Sequence, residues 1–137
     1  MRVKTPMGEV VFTTNQTNTF VLVAEDCLAT VGKPPPIKSP PTAAQIEYQM
    51  IAGNPYQYTS DEVLYKSGGE RREISWEEFF SRGQACFRVS ALCKRYGFGV
   101  HSNAQGKIAL YGVESDEYAA LVADPTVQKV KAMKSKK

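Results

Sequence analysis

From Tyr96 the chain reads Tyr-Gly-Phe-Gly-Val-His, then Ser-Asn-Ala-Gln-Gly, then Lys-Ile-Ala-Leu-Tyr to Tyr111. Tyr96, Phe98 and Val100 alternate with Gly97, Gly99 and His101, the period of two that an extended strand separates onto opposite faces. One face is aromatic and apolar; the other is nearly bare backbone ending in an imidazole. Residues 102–106 have a turn composition with Gly at the close, where a positive φ is needed. Residues 107–111 then return as a strand, with Ile108 and Leu110 facing one way and Ala109 and Tyr111 the other. The spacing predicts a β-hairpin. Upstream, Phe87, Val89 and Ala91 alternate with Cys86, Arg88 and Ser90, which predicts a third strand. Such a meander has an apolar face that helices must cover.

The rest of the chain supplies those helices. Residues 19–24 (TFVLVA) form a β-branched, apolar run expected to be a buried strand, and residues 9–13 a short one. Five prolines between Lys33 and Pro41 make an extended connector. Thr42 with Gln45 is a capping-box signature, and Gly53 and Pro55 supply a stop, which predicts a helix between them. Glu47 falls in the middle of its apolar face, where a salt bridge to an arginine or a water-exposed edge is expected to satisfy it. A second cap stands at Thr59 or Ser60. Residues 63–66 fit a strand or a helical turn, and Ser67-Gly68-Gly69 a flexible break. Residues 70–73 are a solvated charge cluster. Ser75 with Glu78 starts a short helix over 76–82, closed by Gly83, whose Trp76, Phe79 and Phe80 are expected to pack on the sheet. Ser115 caps a helix with Asp116 and Glu117 in its first turn, and Asp124-Pro125 is expected to start a last helix.

The expected fold is α+β, a mostly antiparallel sheet of four or five strands with three or four helices packed largely on one side. Residues 1–12 read as an N-terminal arm, 13–128 as a single domain, and 129–137 as a lysine-rich tail.

The 137 residues, 42% of them apolar, suffice for one core. No apolar run approaches the roughly 18 residues of a membrane span, and the N-terminus lacks the apolar stretch of a signal peptide. Three cysteines, an odd number without a CxxC pair, point to reduced thiols and a cytoplasmic protein, monomer or homodimer. Five of the seventeen basic residues lie in the last nine positions; the remaining 12 face 14 acids, so residues 1–128 sum to −2. The body is therefore not a basic surface. One histidine and dispersed cysteines assemble no zinc pattern, so no metal and no cofactor is expected.

Four stretches resemble a known family: Val23-Ala24-Glu25-Asp26-Cys27, residues 54–61 (NPYQYTSD), residues 94–101 (KRYGFGVH) and residues 106–111 (GKIALY). They are similar, in the same order, to a family of short bacterial proteins catalogued as a domain of unknown function. The likeness runs from about residue 13 to the C-terminus. Cys93 and Phe98 depart from the family's commoner Thr and Trp, which weighs against a role for Cys93. The resemblance implies a compact bacterial domain and brings no activity, cofactor or catalytic residue.

Three functions are open. The first is a non-enzymatic module binding an unknown small ligand or protein on the bare strand face. There Gly97 and Gly99 admit close approach, Arg88 and, depending on register, Arg95 and Tyr111 line the face, and His101 stands at its edge. An anion suits such a site; the bland account of the glycines is helix packing. The second is nucleic-acid binding, since Lys94 and residues 96–98 partly fit an RNA-recognition strand on which Tyr96 and Phe98 could stack bases, aided by the lysine tail. The third is a small enzyme with Cys86 as nucleophile and His101 as base, for which no orienting third group is identifiable.

Overall fold

The computed structural model describes residues 2–4, 10–81 and 86–134. Its centre is a four-stranded mixed sheet in the order β5-β4-β3-β6, built from β3 (Thr19–Leu22), β4 (Phe98–Ser102), β5 (Ile108–Gly112) and β6 (Gln128–Lys131). The hairpin stands as its spacing predicts: β4 and β5 pair antiparallel, with His101 opposite Ala109 and Gly99 opposite Tyr111. β3 runs antiparallel to β4, placing Thr19 opposite Ser102 and Phe20 opposite His101, and parallel to β6, placing Thr19 beside Gln128. Ahead of the sheet, β1 (Arg2–Lys4) and β2 (Val10–Phe12) make a separate two-stranded ribbon.

Helices cover the sheet unequally. α1 (Ala43–Ala52), α2 (Ser60–Leu64) and α4 (Ala91–Lys94) bring Ile51, Val63, Leu92 and Cys93 against Val21, Val100 and Ile108 in the larger apolar cluster. α5 (Asp116–Ala123) covers the other face, where Tyr118 meets Phe20 edge-on at 4.9 Å between ring centroids. Burying a ring such as Phe20 completely contributes about 1.5–3 kcal/mol. The caps stand where expected: Thr42, Thr59, Ser75 and Ser115 each accept a hydrogen bond from a first-turn amide. The reciprocal box closes at Thr59 with Glu62, whereas the Gln45 side chain accepts from the Lys38 amide at 3.0 Å instead of returning to Thr42. No helix among the described residues is long and apolar enough to cross a membrane.

Six local expectations are corrected. Residues 86–91 do not form a third strand of a meander: Phe87–Val89 is a 3-10 turn, and Ser90 accepts from the Leu92 amide to start α4. Phe87 is buried while Val89 is 41% exposed, so the alternation never shared one face. Residues 124–131 do not continue as a helix either. The Asp124 carboxylate accepts from the Thr126 amide and hydroxyl in a turn, and Lys129-Val130-Lys131-Ala132 alternates with the period of β6. Lys129 and Lys131, expected in the tail, thus belong to a strand, and Lys131 and Lys134 both meet Glu25, at 2.7 and 3.2 Å.

Ser67-Gly68-Gly69 is no break: the chain winds on from α2 through a π-helical turn (Tyr65–Gly69) into a 3-10 turn (Glu70–Arg72). The two glycines give room to rings, since a Cβ on Gly69 would stand 2.6 Å from the Tyr65 ring. α3 (Trp76–Phe79) packs Trp76 and Phe79 against Tyr65, and Phe80 against both, rather than on the sheet. The expected stop at Gly83 lies outside the described residues. Glu47 is buried with no cation beside it among the described residues; its carboxyl is met by the hydroxyls of Ser67 and Ser90.

Candidate functional site

Strand alternation sends Phe98, Val100 and Ser102 to the α1 face of the sheet and Gly99 and His101 to the α5 face. On β5, Ala109 and Tyr111 share that second face, so His101 and Tyr111 are diagonal neighbours. A third ring reaches them from outside the sheet. The segment carrying Tyr56 runs along the free edge of β5: the Tyr56 amide donates to Ile108 (2.9 Å) and the Ile108 amide to Tyr58 (2.9 Å). Tyr56 has a φ of 59°, a left-handed conformation that costs a non-glycine residue roughly 1 kcal/mol or more. On the β5 side, the side chain opposite His101 is only the Ala109 methyl, which leaves room for a ring from that edge.

The result is a hydroxyl–imidazole chain. Tyr56 Oη lies 2.8 Å from His101 Nδ1 and 2.8 Å from Tyr111 Oη, with the Tyr56 and His101 rings edge-on at 87°. Burial, then the neighbouring Tyr111, drives the Tyr56 phenol above its ordinary pKa. Burial lowers the His101 pKa, opposed by the charge of Asp124, so the imidazole is neutral at neutral pH. Two hydrogen-bond orders are open to the chain. If Tyr56 donates to Nδ1, Nε2 carries the proton and is a donor; if Nδ1 donates to Tyr56, Nε2 offers a lone pair.

Of the six residues expected at a binding face, His101 and Tyr111 are thus joined, through Tyr56. Gly99 stands beside them but is covered: a Cβ there would come 2.4 Å from the Phe20 ring and 2.9 Å from that of Tyr118. Gly97, with φ of 80°, lies against the 29–33 segment, where a Cβ would meet the Val31 carbonyl at 2.5 Å. Arg88 is on the β6 side, its Nε donating to the Lys131 carbonyl at 2.8 Å. Arg95 closes α4 and is exposed. Phe98 is buried, its ring 5.5 Å from that of Tyr48 and pressed on Gly32, and Tyr96 packs on the same cluster. The Phe98 ring is therefore spent on the core rather than open to a base. Cys86 precedes a 3-10 turn instead of sharing a strand face with His101.

Cys86 belongs to a different feature, on the opposite face of the sheet. A cavity of about 440 Å³ is lined by Thr13, Thr14, Asn15, Gln16, Thr17, Thr19, Cys86 and Gln128. Thr19 and Gln128 are neighbours in the β3–β6 register and mark the sheet end of the cavity. The 13–15 wall is braced from behind by Asp61, itself buried. Thr13 donates its hydroxyl to Asp61 Oδ2, and Thr14 donates both its amide and its hydroxyl to Oδ1 at 2.6 Å. The Asp61 amide donates to Asn15 Oδ1 at 2.8 Å. Thr19 donates to the Thr17 carbonyl (2.9 Å), and the Gln128 amide to that of Asn18 (2.8 Å). No acidic, basic or aromatic residue is among the described lining. The sequence alone assigned no role to residues 14–18. The signal that could have found the wall is the unbroken run of six uncharged polar residues, 13–18, between two strands. No group of His, Cys, Asp and Glu able to hold a metal ion occurs among the described residues.

A family model with the description "Family of unknown function (DUF6157)" matches residues 11–137, as the four motifs implied. No curated protein and no solved structure matches the chain.

Proposed function

Because the chain belongs to this family of unknown function, no activity comes with its membership, and we propose from geometry alone that it is a non-enzymatic small-ligand-binding domain. The cavity between the 13–19 segment, Cys86 and Gln128 is its binding site. The observation that carries this is the cavity itself. Its volume of about 440 Å³ lies in the range of small-molecule sites, roughly 300–1,000 Å³. Its wall is held by hydrogen bonds to a buried carboxylate, so the lining groups are oriented before a ligand arrives.

The Cys86 thiol in the lining supplies the test. Alkylation of Cys86 by iodoacetamide, followed by peptide mass spectrometry, is measured against a panel of small neutral, anionic and cationic compounds. A ligand of the cavity slows Cys86 saturably and leaves Cys27, which is outside the lining, unchanged. The exposed Thr17→Tyr substitution narrows the cavity and removes that protection. If no compound protects Cys86, the reading fails.

A second reading is favoured by the left-handed Tyr56 and its two 2.8 Å contacts. In it, His101 Nε2, set by Tyr56 and Tyr111, takes a polar ligand group on the other face of the sheet. Saturable shifts of the His101 ring resonances with the same panel, without protection of Cys86, would favour it.

A further inference from the structure

We infer that the ligand of the cavity is a neutral, polyhydroxylated small molecule, a monosaccharide or a linear polyol; this rests on the cavity being the binding site proposed above. Three properties of the wall carry it.

The first is charge. The described lining holds no acid and no base. The buried carboxylate of Asp61 stands behind the wall with both oxygens engaged by the wall's own donors. A charged ligand group entering here would lose water and find no counter-charge in the described lining. An anion would in addition face the Asp61 charge.

The second is the hydrogen-bonding inventory. The carboxamides of Gln16 and Gln128 have no side-chain partner among the described residues, so each presents a carbonyl and an NH2. Asn15 uses its Oδ1 on the Asp61 amide and keeps its NH2. Thr19 gives its proton to the Thr17 carbonyl and keeps its lone pairs. Donors and acceptors are thus interleaved over a short distance. A hydroxyl is both donor and acceptor at one atom, so a ligand rich in hydroxyls matches such a wall in many orientations of its protons.

The third is the lack of a ring among the described lining residues. A nucleobase or other planar ring gains much of its affinity by stacking on an aromatic side chain, and this wall offers none.

The test compares D-glucose and sorbitol with gluconate, glucosamine and adenosine, which add a negative charge, a positive charge and a base. Thermal shift is unsuitable, because polyols stabilise most proteins by exclusion from their surface. Cys86 alkylation and the amide shifts of residues 13–19 are read instead. With glucose or sorbitol at ten times its Kd, Cys86 alkylation slows about tenfold while Cys27 is unchanged, and the amide shifts saturate at the same concentration. Gln128→Ala, at an exposed position on the edge strand β6, weakens both effects without touching the core, and so keeps the test valid should Thr17→Tyr fold poorly. If gluconate, glucosamine or adenosine protects Cys86 and neither glucose nor sorbitol does, the ligand class is overturned and the binding reading stands. Equal slowing of Cys86 and Cys27 by the neutral compounds overturns it as well. Protection by no compound, here or in the wider panel, removes the binding reading and this inference together.

Discussion

The Ser90 hydroxyl donates a 2.7 Å hydrogen bond to the Glu47 carboxyl inside an otherwise apolar cluster. The second carboxyl oxygen is met by Ser67 at 2.9 Å, and no described cation acts on the carboxyl. Burial raises the Glu47 pKa against the opposing effect of the two serines. The protonated acid is fully satisfied: it donates to Ser67 Oγ, whose own proton turns to the Leu64 carbonyl at 3.3 Å, while Ser90 still donates to the other oxygen. A carboxyl whose folded pKa is raised adds stability that is complete below its unfolded pKa and is lost as pH rises through the folded value. Urea melts at increasing pH are therefore expected to show a loss of stability above the ordinary glutamate range. The neutral isostere Glu47→Gln removes that slope, and Glu47→Ala, which strands two buried hydroxyls, costs about 1–3 kcal/mol. Identical slopes for wild type and Glu47→Gln would refute a raised Glu47 pKa.

Two glycine substitutions separate space from backbone. A Cβ at Gly99 meets the Phe20 ring at 2.4 Å, whereas at Gly53, the C-cap of α1 with φ of −88°, it meets nothing within 4 Å. Gly99→Ala is expected to destabilise by about 1–3 kcal/mol through overpacking under α5. Gly53→Ala is expected to stabilise by about 0.4–1 kcal/mol, by reducing the freedom of the unfolded chain. Chemical denaturation of the two variants reads both signs, and a neutral Gly99→Ala would contradict the close packing of Phe20.

What the sequence made legible was what short-range chemistry decides. The hairpin of β4 and β5, the strand from Thr19 and the four caps each rest on residues within a few positions of one another. The errors fall where a local pattern was compatible with two structures and distant packing chose. Phe87-Arg88-Val89 alternates for too few residues to separate a strand from a 3-10 turn, and the cap at Ser90 decided it. Asp124-Pro125 resembles a helix start, but the open edge of β3 took the following residues as a parallel strand. Tyr56 joined the site through a backbone pairing with Ile108, 52 positions along the chain, which no local pattern records. The cavity wall was invisible for a related reason, because its order comes from Asp61, more than forty positions away.

That brace is open to direct test. Asp61 accepts from the Thr13 and Thr14 hydroxyls and the Thr14 amide, and its own amide is held by Asn15. Asp61→Ala removes their shared acceptor and leaves the Thr14 amide without its partner, at an expected cost of about 1–3 kcal/mol in urea unfolding. Asp61→Asn keeps one acceptor and is expected to cost less. The local signature is hydrogen exchange: the Thr14 amide, protected in the wild type, is expected to exchange faster in both variants. An unchanged Thr14 amide in Asp61→Ala would show that the wall does not depend on this carboxylate.

His101 is the chain's one histidine, so its ring resonances titrate without ambiguity. Burial under Tyr56 holds the imidazole neutral, against the pull of Asp124. The NMR midpoint is therefore expected below the ordinary histidine value. A base with a lowered folded pKa adds stability that is present above its unfolded pKa and is lost as pH falls through the folded value, so protonating His101 is expected to loosen this edge of the sheet in acid. Tyr56→Phe keeps the ring and removes the hydroxyl from both His101 and Tyr111, which is expected to cost about 1 kcal/mol. Tyr56→Ala uncovers the imidazole and is expected to return its midpoint toward the ordinary value. A wild-type midpoint at or above that value would mean that the ring is not shielded by Tyr56, and that the hydroxyl–imidazole chain does not persist in solution.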